Sequence, residues 1–193
     1  MRKLVYLIAS TIDGFIAEAD RSDPTGKVFL LEGDHGPVLT AEYPEMVPGH
    51  WREAAGLEGV ENKHFDTVLE GRVSYTMALA EGVENAYPHM RHLVFSTTLE
   101  EVPDKAIELV STDPLAKVRE LKSESGKDIW LCGGGALAAS LREEIDEIHL
   151  KLNPVSIGTG APIFDGPFQI NRWTVESTRA FDSGVVLIRY VRA

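Results

Sequence analysis

Cysteine occurs once in 193 residues, at Cys132, so an intrachain disulfide framework is excluded. No CxxC pair or clustered His/Cys spacing accompanies it, and no metal site is expected. Basic residues are also scarce. Nineteen Lys and Arg stand against 30 Asp and Glu, a formal charge of -11 whose field repels polyanions, and no local basic patch offsets it. Nucleic acid is therefore not an expected partner. Long hydrophobic runs are missing as well. Leu4 to Ser10 follows Arg2-Lys3 as the apolar part of a signal peptide would, but Asp13-Gly14 stands where a cleavage motif is needed. Nothing approaches the roughly 20 apolar residues of a membrane span. What remains is one soluble domain over residues 1–193, in a reducing cytoplasm, with 44% hydrophobic residues to build its core.

Residues 3–10 are rich in β-branched and aromatic residues and carry no charge after Lys3, as expected of a strand buried on both faces. From Ala19 to Pro48 periodicity is lost among Asp, Gly and Pro, apart from Val28-Phe29-Leu30-Leu31. A loop of that length inside a compact domain points to a lid or binding segment. Pro48 to Leu57 is expected to form a helix. Thr67-Val68-Leu69 forms a strand, and Gly71-Arg72 leads into a helix capped by Ser74 and ending near Gly82. Strands follow at His92–Phe95 and Ile107–Val110, then a helix from Leu115 to Glu124 behind Thr112-Asp113-Pro114. Asp128 to Cys132 is a strand running into Gly133-Gly134-Gly135, with a helix from Ala136 to Glu144. Ile145 to Leu152 is a strand, Asn153 to Phe164 a loop, and Trp173–Ala180 with Val185–Val191 a hairpin. The fold class is α/β in three layers (α/β/α), with a mixed, mostly parallel central sheet and a C-terminal antiparallel hairpin.

A strand that feeds a glycine turn into a helix start presents free backbone N–H groups and the positive end of the helix dipole to a phosphate. Gly133-Gly134-Gly135 reads either as such a cradle or as a tight turn. It is not GxGxxG, and no acid sits at the spacing a Rossmann fingerprint requires. Gly71-Arg72 is a second strand-to-helix turn, where Arg72 is a forked phosphate ligand or a solvated helix-start residue. Ser96-Thr97 binds a ligand or satisfies its own turn. These turns follow successive strands, so a parallel sheet would align them along one edge.

The set resembles the dihydrofolate reductase-like fold, and within it the branch related to the reductase domain of riboflavin biosynthesis. The resemblance spans nearly the whole chain. It is carried by Ile8 to Ala17, Gly71-Arg72-Val73-Ser74-Tyr75, Phe95-Ser96-Thr97-Thr98, Leu131 to Leu137, Leu152-Asn153-Pro154 and Gly158 to Phe164. It implies that Gly71, Arg72, Ser74, Ser96 and Thr97 bind the adenosine phosphates of NADPH, including the 2′-phosphate. Cys132, Gly133, Gly134, Gly135, Ala136 and Leu137 would hold the pyrophosphate segment, with the Gly133-Gly134 peptide cis. Ala9 and Ile16 would meet the nicotinamide, and Asp13-Gly14 would let the loop fold over the ring. A homodimer is implied too.

Folate-reducing members carry a buried carboxylate in the first long helix. Here that region reads His50-Trp51-Arg52-Glu53-Ala54-Ala55, with Glu53 its only acid, a catalytic group or an exposed helix-face residue. Asp13, His50 and Glu53 are the expected catalytic side chains, with Asp34, His35 and Tyr43 further proton sources. The implied activity is NADPH-dependent hydride transfer to a C=N or C=O bond of a small pyrimidine-like, pterin-like or carbonyl compound. Reduction of the type undergone by 5-amino-6-(5-phosphoribosylamino)uracil falls within it. The alternative is a nucleotide-binding protein without turnover.

Overall fold

Alternate residues of the first strand sort into two different cores, and the sheet is built outward from that division. In the computed structural model, which describes residues 1–193, β1 (Leu4–Thr11) sends Leu4, Tyr6 and Ile8 to one face and Val5 and Leu7 to the other. Further strands are β2 (Phe15–Ala17), β3 (Phe65–Gly71), β4 (Arg91–Phe95), β5 (Glu108–Val110), β6 (Asp128–Gly133), β7 (Ile145–Asn153), β8 (Ala161–Pro162), β9 (Trp173–Ala180) and β10 (Val186–Arg192). One eight-stranded sheet has the order β5-β4-β3-β6-β1-β7-β10-β9, while β2 pairs with β8 apart from it. Pairings from β5 across to β7 are parallel, and β10 is antiparallel to both β7 and β9. The sheet is therefore mixed and mostly parallel, closed by the C-terminal hairpin as expected.

Helices cover both faces. α3 (Pro114–Ser123) and α4 (Gly135–Ser140) bury Val118, Leu121, Leu137 and Ala138 in the core that holds Leu4 and Tyr6. On the other face α1 (His35–Glu42) adds Leu39 to the core of Val5 and Leu7, and α2 (Arg72–Ala80) packs Tyr75 on Val94. Each large apolar side chain so buried contributes about 1.5–3 kcal/mol. Asp113 sets the start of α3, its carboxylate accepting the N–H groups of Leu115 (3.0 Å) and Ala116 (3.1 Å) ahead of the first-turn Pro114.

The helices also depart from expectation. α1 lies inside the patternless stretch from Ala19 to Pro48, where Gly36 and Pro37 occupy its first turn and only His35 and Leu39 are buried. Residues 48–57 are not an α-helix. A single 3-10 turn, Gly49–Trp51, is followed by turns that the Arg52 guanidinium pins by donating to the carbonyls of Pro44 (2.6 Å), Leu57 (3.3 Å) and Val60 (2.7 Å). No side chain from Pro48 to Gly56 is buried, so no core face sustains a regular helix there. α4 stops at Ser140 rather than Glu144, and α2 begins at Arg72 with Gly71 as its cap, which moves Ser74 into the first turn.

Candidate functional site

β1 stays paired with β7 as far as Thr11↔Asn153 but with β6 only to Tyr6↔Leu131. Beyond Tyr6 the sheet parts, and the Trp130 indole N–H donates to the Leu7 carbonyl across the gap at 3.0 Å. A cleft of about 670 Å³ opens there, passing over the C-terminal ends of β1, β3, β4, β5 and β6. Crevices at that edge of a parallel sheet are where such folds take ligands, and the volume suits a small molecule.

One half of the cleft is built from helix starts. Gly134, with φ of +99°, caps α4, and Gly71 caps α2; neither start has a capping side chain, in contrast to α3 with Asp113. First-turn N–H groups have no acceptor within their own helix, so both starts keep donors for an anion. Space requires glycine at 135. A Cβ on Gly135 would stand 2.2 Å from the Pro162 carbonyl oxygen, and one on Gly133 would stand 2.9 Å from Ser74 Oγ. The Gly133-Gly134 peptide is trans, as is every other, so the expected cis bond is absent and the left-handed Gly134 makes the turn. Cys132, Ala136 and Leu137 join the glycines in lining the cleft. Arg72 also lines it, exposed and without an ion pair or side-chain hydrogen bond. Ser96 and Thr97 border it, although Ser96 Oγ already accepts the N–H groups of Thr98 (3.1 Å) and Leu99 (2.9 Å), the turn-satisfying arrangement.

Ala9 and Ile16 form the opposite wall, and the segment after β2 folds over the opening. Val28 and Phe29 are buried beneath it, and Arg21 pairs with Asp165 at 3.3 Å across the rim. His50 and Trp51 stand exposed at the mouth with ring centroids 4.9 Å apart. Of the three side chains expected to serve chemistry, only His50 lines the cleft. Glu53 is exposed on the turns beyond it. Asp13 lies outside and works as a clamp. It accepts the Thr11 hydroxyl and the N–H groups of Ile157 (3.0 Å) and Gly158 (2.7 Å), which tie the β1–β2 turn to the loop before β8. Those bonds, Thr11 foremost, hold its carboxyl below the usual range. Asp34, His35 and Tyr43 are likewise engaged outside the cleft. Asp34 accepts the N–H groups of Asp182 and Ser183, His35 contacts Ser183 Oγ and the Leu30 carbonyl, and the Tyr43 hydroxyl meets His149 Nδ1.

Sequence reasoning missed a polar group on the inner wall. Glu70 and Tyr87 line the cleft beside Cys132. Glu70 Oε2 lies 2.8 Å from His92 Nε2, and the Tyr87 hydroxyl lies 3.8 Å from Cys132 Sγ. Burial pushes the Tyr87 phenol well above its ordinary value, with the Cys132 and Glu70 charges adding to it, and the Cys132 thiol rises for the same first reason. The sequence signal was a charge ending an apolar strand, Thr67-Val68-Leu69-Glu70.

A family model described as the RibD C-terminal domain matches residues 2–187. The uncharacterized protein YyaP of Bacillus subtilis (strain 168) is 31% identical over 202 aligned residues, covering 98% of this chain and 94% of its own. YwjB of the same organism, also uncharacterized, is 28% identical over 194, with 100% and 99% covered. A crystal structure from Shewanella sp. PV-4, of a protein provisionally assigned to riboflavin biosynthesis, superposes with a TM-score of 0.67 at 20% identity, over 100% of this chain and 99% of that one. At that identity the likeness is one of fold.

Proposed function

The chain belongs to the RibD C-terminal domain family, and from that premise we propose that it is an NADPH-dependent reductase. Its substrate is a small pyrimidine-like or pterin-like heterocycle, or a carbonyl compound, reduced at a C=N or C=O bond. The observation that carries this reading is the parted sheet, with two uncapped helix starts and an unpaired Arg72 on one side of the gap. Those groups fit an anionic dinucleotide. Arg72 and Ser74 would hold the 2′-phosphate, the Gly133–Gly135 turn the pyrophosphate, and Ala9 and Ile16 the nicotinamide. The bound dinucleotide supplies a hydride. The chain's own part is to align the two reactants, exclude water under the segment after β2, and furnish a proton.

Titration calorimetry with NADPH, NADH and FAD tests the binding half, and absence of NADPH binding would sink the reading. Loss of reduced-nicotinamide absorbance with pterin, pyrimidine, quinone and aldehyde acceptors tests the catalytic half. The placement of Asp13 and Glu53 outside the cleft favours the second reading, a dinucleotide-binding protein without turnover, which binding without oxidation of any acceptor would support. Exposed Phe168, Ile170 and Val175, before and on the edge strand β9, support assembly as a homodimer. Sedimentation at twice the 21.2 kDa chain mass is the expected result, and a monomer refutes it. The lone thiol of Cys132 fits a cytoplasmic setting.

A further inference from the structure

Reduction of a C=N or C=O bond leaves a nitrogen or oxygen that must be protonated, and the inner wall of the cleft holds a proton for it. Resting on the reductase reading above, we propose that Glu70 is the acid that protonates the substrate, using a proton it shares with His92.

Asn85 fixes how many protons the pair contains. Its Nδ2 donates to Asp104 Oδ2 at 2.8 Å and its Oδ1 accepts the Tyr87 N–H at 3.0 Å, which sets the amide's orientation. The same Oδ1 faces His92 Nδ1 at 3.0 Å, so Nδ1 carries a hydrogen. The other ring nitrogen sits 2.8 Å from Glu70 Oε2, a contact that holds one proton. The pair is a carboxylate against an imidazolium or a carboxylic acid against a neutral imidazole. Either form has one proton to give.

Glu70 and His92 are 5% and 1% exposed, and Glu70 alone of the two lines the cleft. The other carboxyls along the cleft, Asp23, Glu81 and Asp165, are exposed on its rim. A buried ion pair gains little stability over apolar side chains of the same volume, so stability gives no reason to place one in a ligand wall. Facing the pair are Tyr75 from α2, Tyr87 and Asp104 from loops, and Cys132 from β6. The buried phenol and thiol stay protonated through the neutral range and do not compete to release a proton. In the step, the hydride and its electron pair reach the substrate carbon and the π bond opens onto nitrogen or oxygen. That atom takes the proton from Glu70, leaving a carboxylate beside a neutral imidazole. Solvent reprotonates the pair after product leaves. A pair that has lost its shared proton cannot complete the step.

The test compares the wild type with Glu70→Gln and Glu70→Asp. Calorimetry measures NADPH affinity, absorbance follows NADPH oxidation by 7,8-dihydrobiopterin and by 4-nitrobenzaldehyde across pH, and imidazole nitrogen NMR shifts report the His92 ring. Glu70→Gln is expected to keep NADPH affinity and lose about 10²–10⁴-fold in rate. Glu70→Asp, which retains the acid, is expected to recover part of it. In the wild type the alkaline limb of the rate and the loss of the His92 Nε2 proton should share one midpoint. A Glu70→Gln enzyme with the original rate and pH limb overturns the proposal and leaves the reductase reading standing. Loss of rate together with NADPH affinity and melting temperature, unrescued by Asp, assigns Glu70 a structural role and also overturns it. NADPH binding without oxidation of either probe overturns it in favour of binding alone. A wild type that does not bind NADPH removes the reductase reading, and the proposal with it.

Discussion

Replacing Arg72 with alanine is expected to weaken NADPH about a hundredfold and NADH by less than about twofold. The side chain begins α2 on the cleft rim, exposed and without an ion pair, so removing it costs the fold little. Surface changes of that kind stay within about 0.5 kcal/mol. A guanidinium fork on a phosphate makes two charge-assisted hydrogen bonds, each worth about 1.5 kcal/mol or more. Their sum, about 3 kcal/mol, is roughly a hundredfold in affinity at 1.4 kcal/mol per factor of ten. NADH lacks the 2′-phosphate and loses only the weaker long-range attraction. Two controls follow from the same physics. The difference should narrow in about 1 M salt, where the Debye length falls to about 3 Å, and below about pH 6, where a phosphate monoester takes up its second proton. Titration calorimetry of both cofactors, with melting temperatures alongside, measures all of this. Equal losses for NADPH and NADH would place Arg72 away from the 2′-phosphate and refute the reasoning.

Glu45→Ala tests the core. Glu45 is fully buried and accepts the N–H groups of Lys63 (3.2 Å), His64 (2.7 Å) and Phe65 (2.9 Å) where β3 begins. Of these donors only the Phe65 N–H is buried, and a buried donor left unpaired costs about 1–3 kcal/mol, so a loss of about 2 kcal/mol is expected in urea unfolding, and one under about 0.5 kcal/mol would contradict the account. Arg189→Met tests the acid limb of stability. The hydrogen bond from Arg189 outweighs burial, which acts upward, and holds the Glu42 carboxyl below its usual 4.5. A depressed folded pKa stabilises above the ordinary value and is lost as pH falls through the folded one. The variant should therefore lie slightly below the wild type at neutral pH, by an amount kept small because the pair is partly exposed, and should converge with it as pH falls through the folded value. An acid limb parallel to the wild type would refute this.

What was legible in the sequence was what repeats or punctuates. β1, β6 and the β9–β10 hairpin announce themselves by composition and alternation, and α3 by Asp113-Pro114. α1 was hidden because its first turn holds Gly36 and Pro37 and it buries only two side chains, leaving no apolar stripe to read. Residues 48–57 misled in the opposite sense, since helix-compatible residues without a core face settle for turns that Arg52 can hold. In the site, glycines and Arg72 were visible because turns leave local signatures. Glu70 was not, because its partner His92 lies on the neighbouring strand and their pairing is a property of sheet order alone.

The position of β1 also bears on how the chain is made. It is made well before both of its neighbours, yet it sits inside the sheet, with Leu4 beside Ile129 on one flank and Ile145 on the other. At about 5–20 residues per second, a ribosome releases β1 roughly 6–25 s before either neighbour exists. Through that interval the apolar run Leu4–Ile8 waits unpaired. β1 gains one neighbour only after synthesis has passed Gly133 and the other after Asn153, which makes its burial a late step and gives a holding chaperone a defined segment to cover.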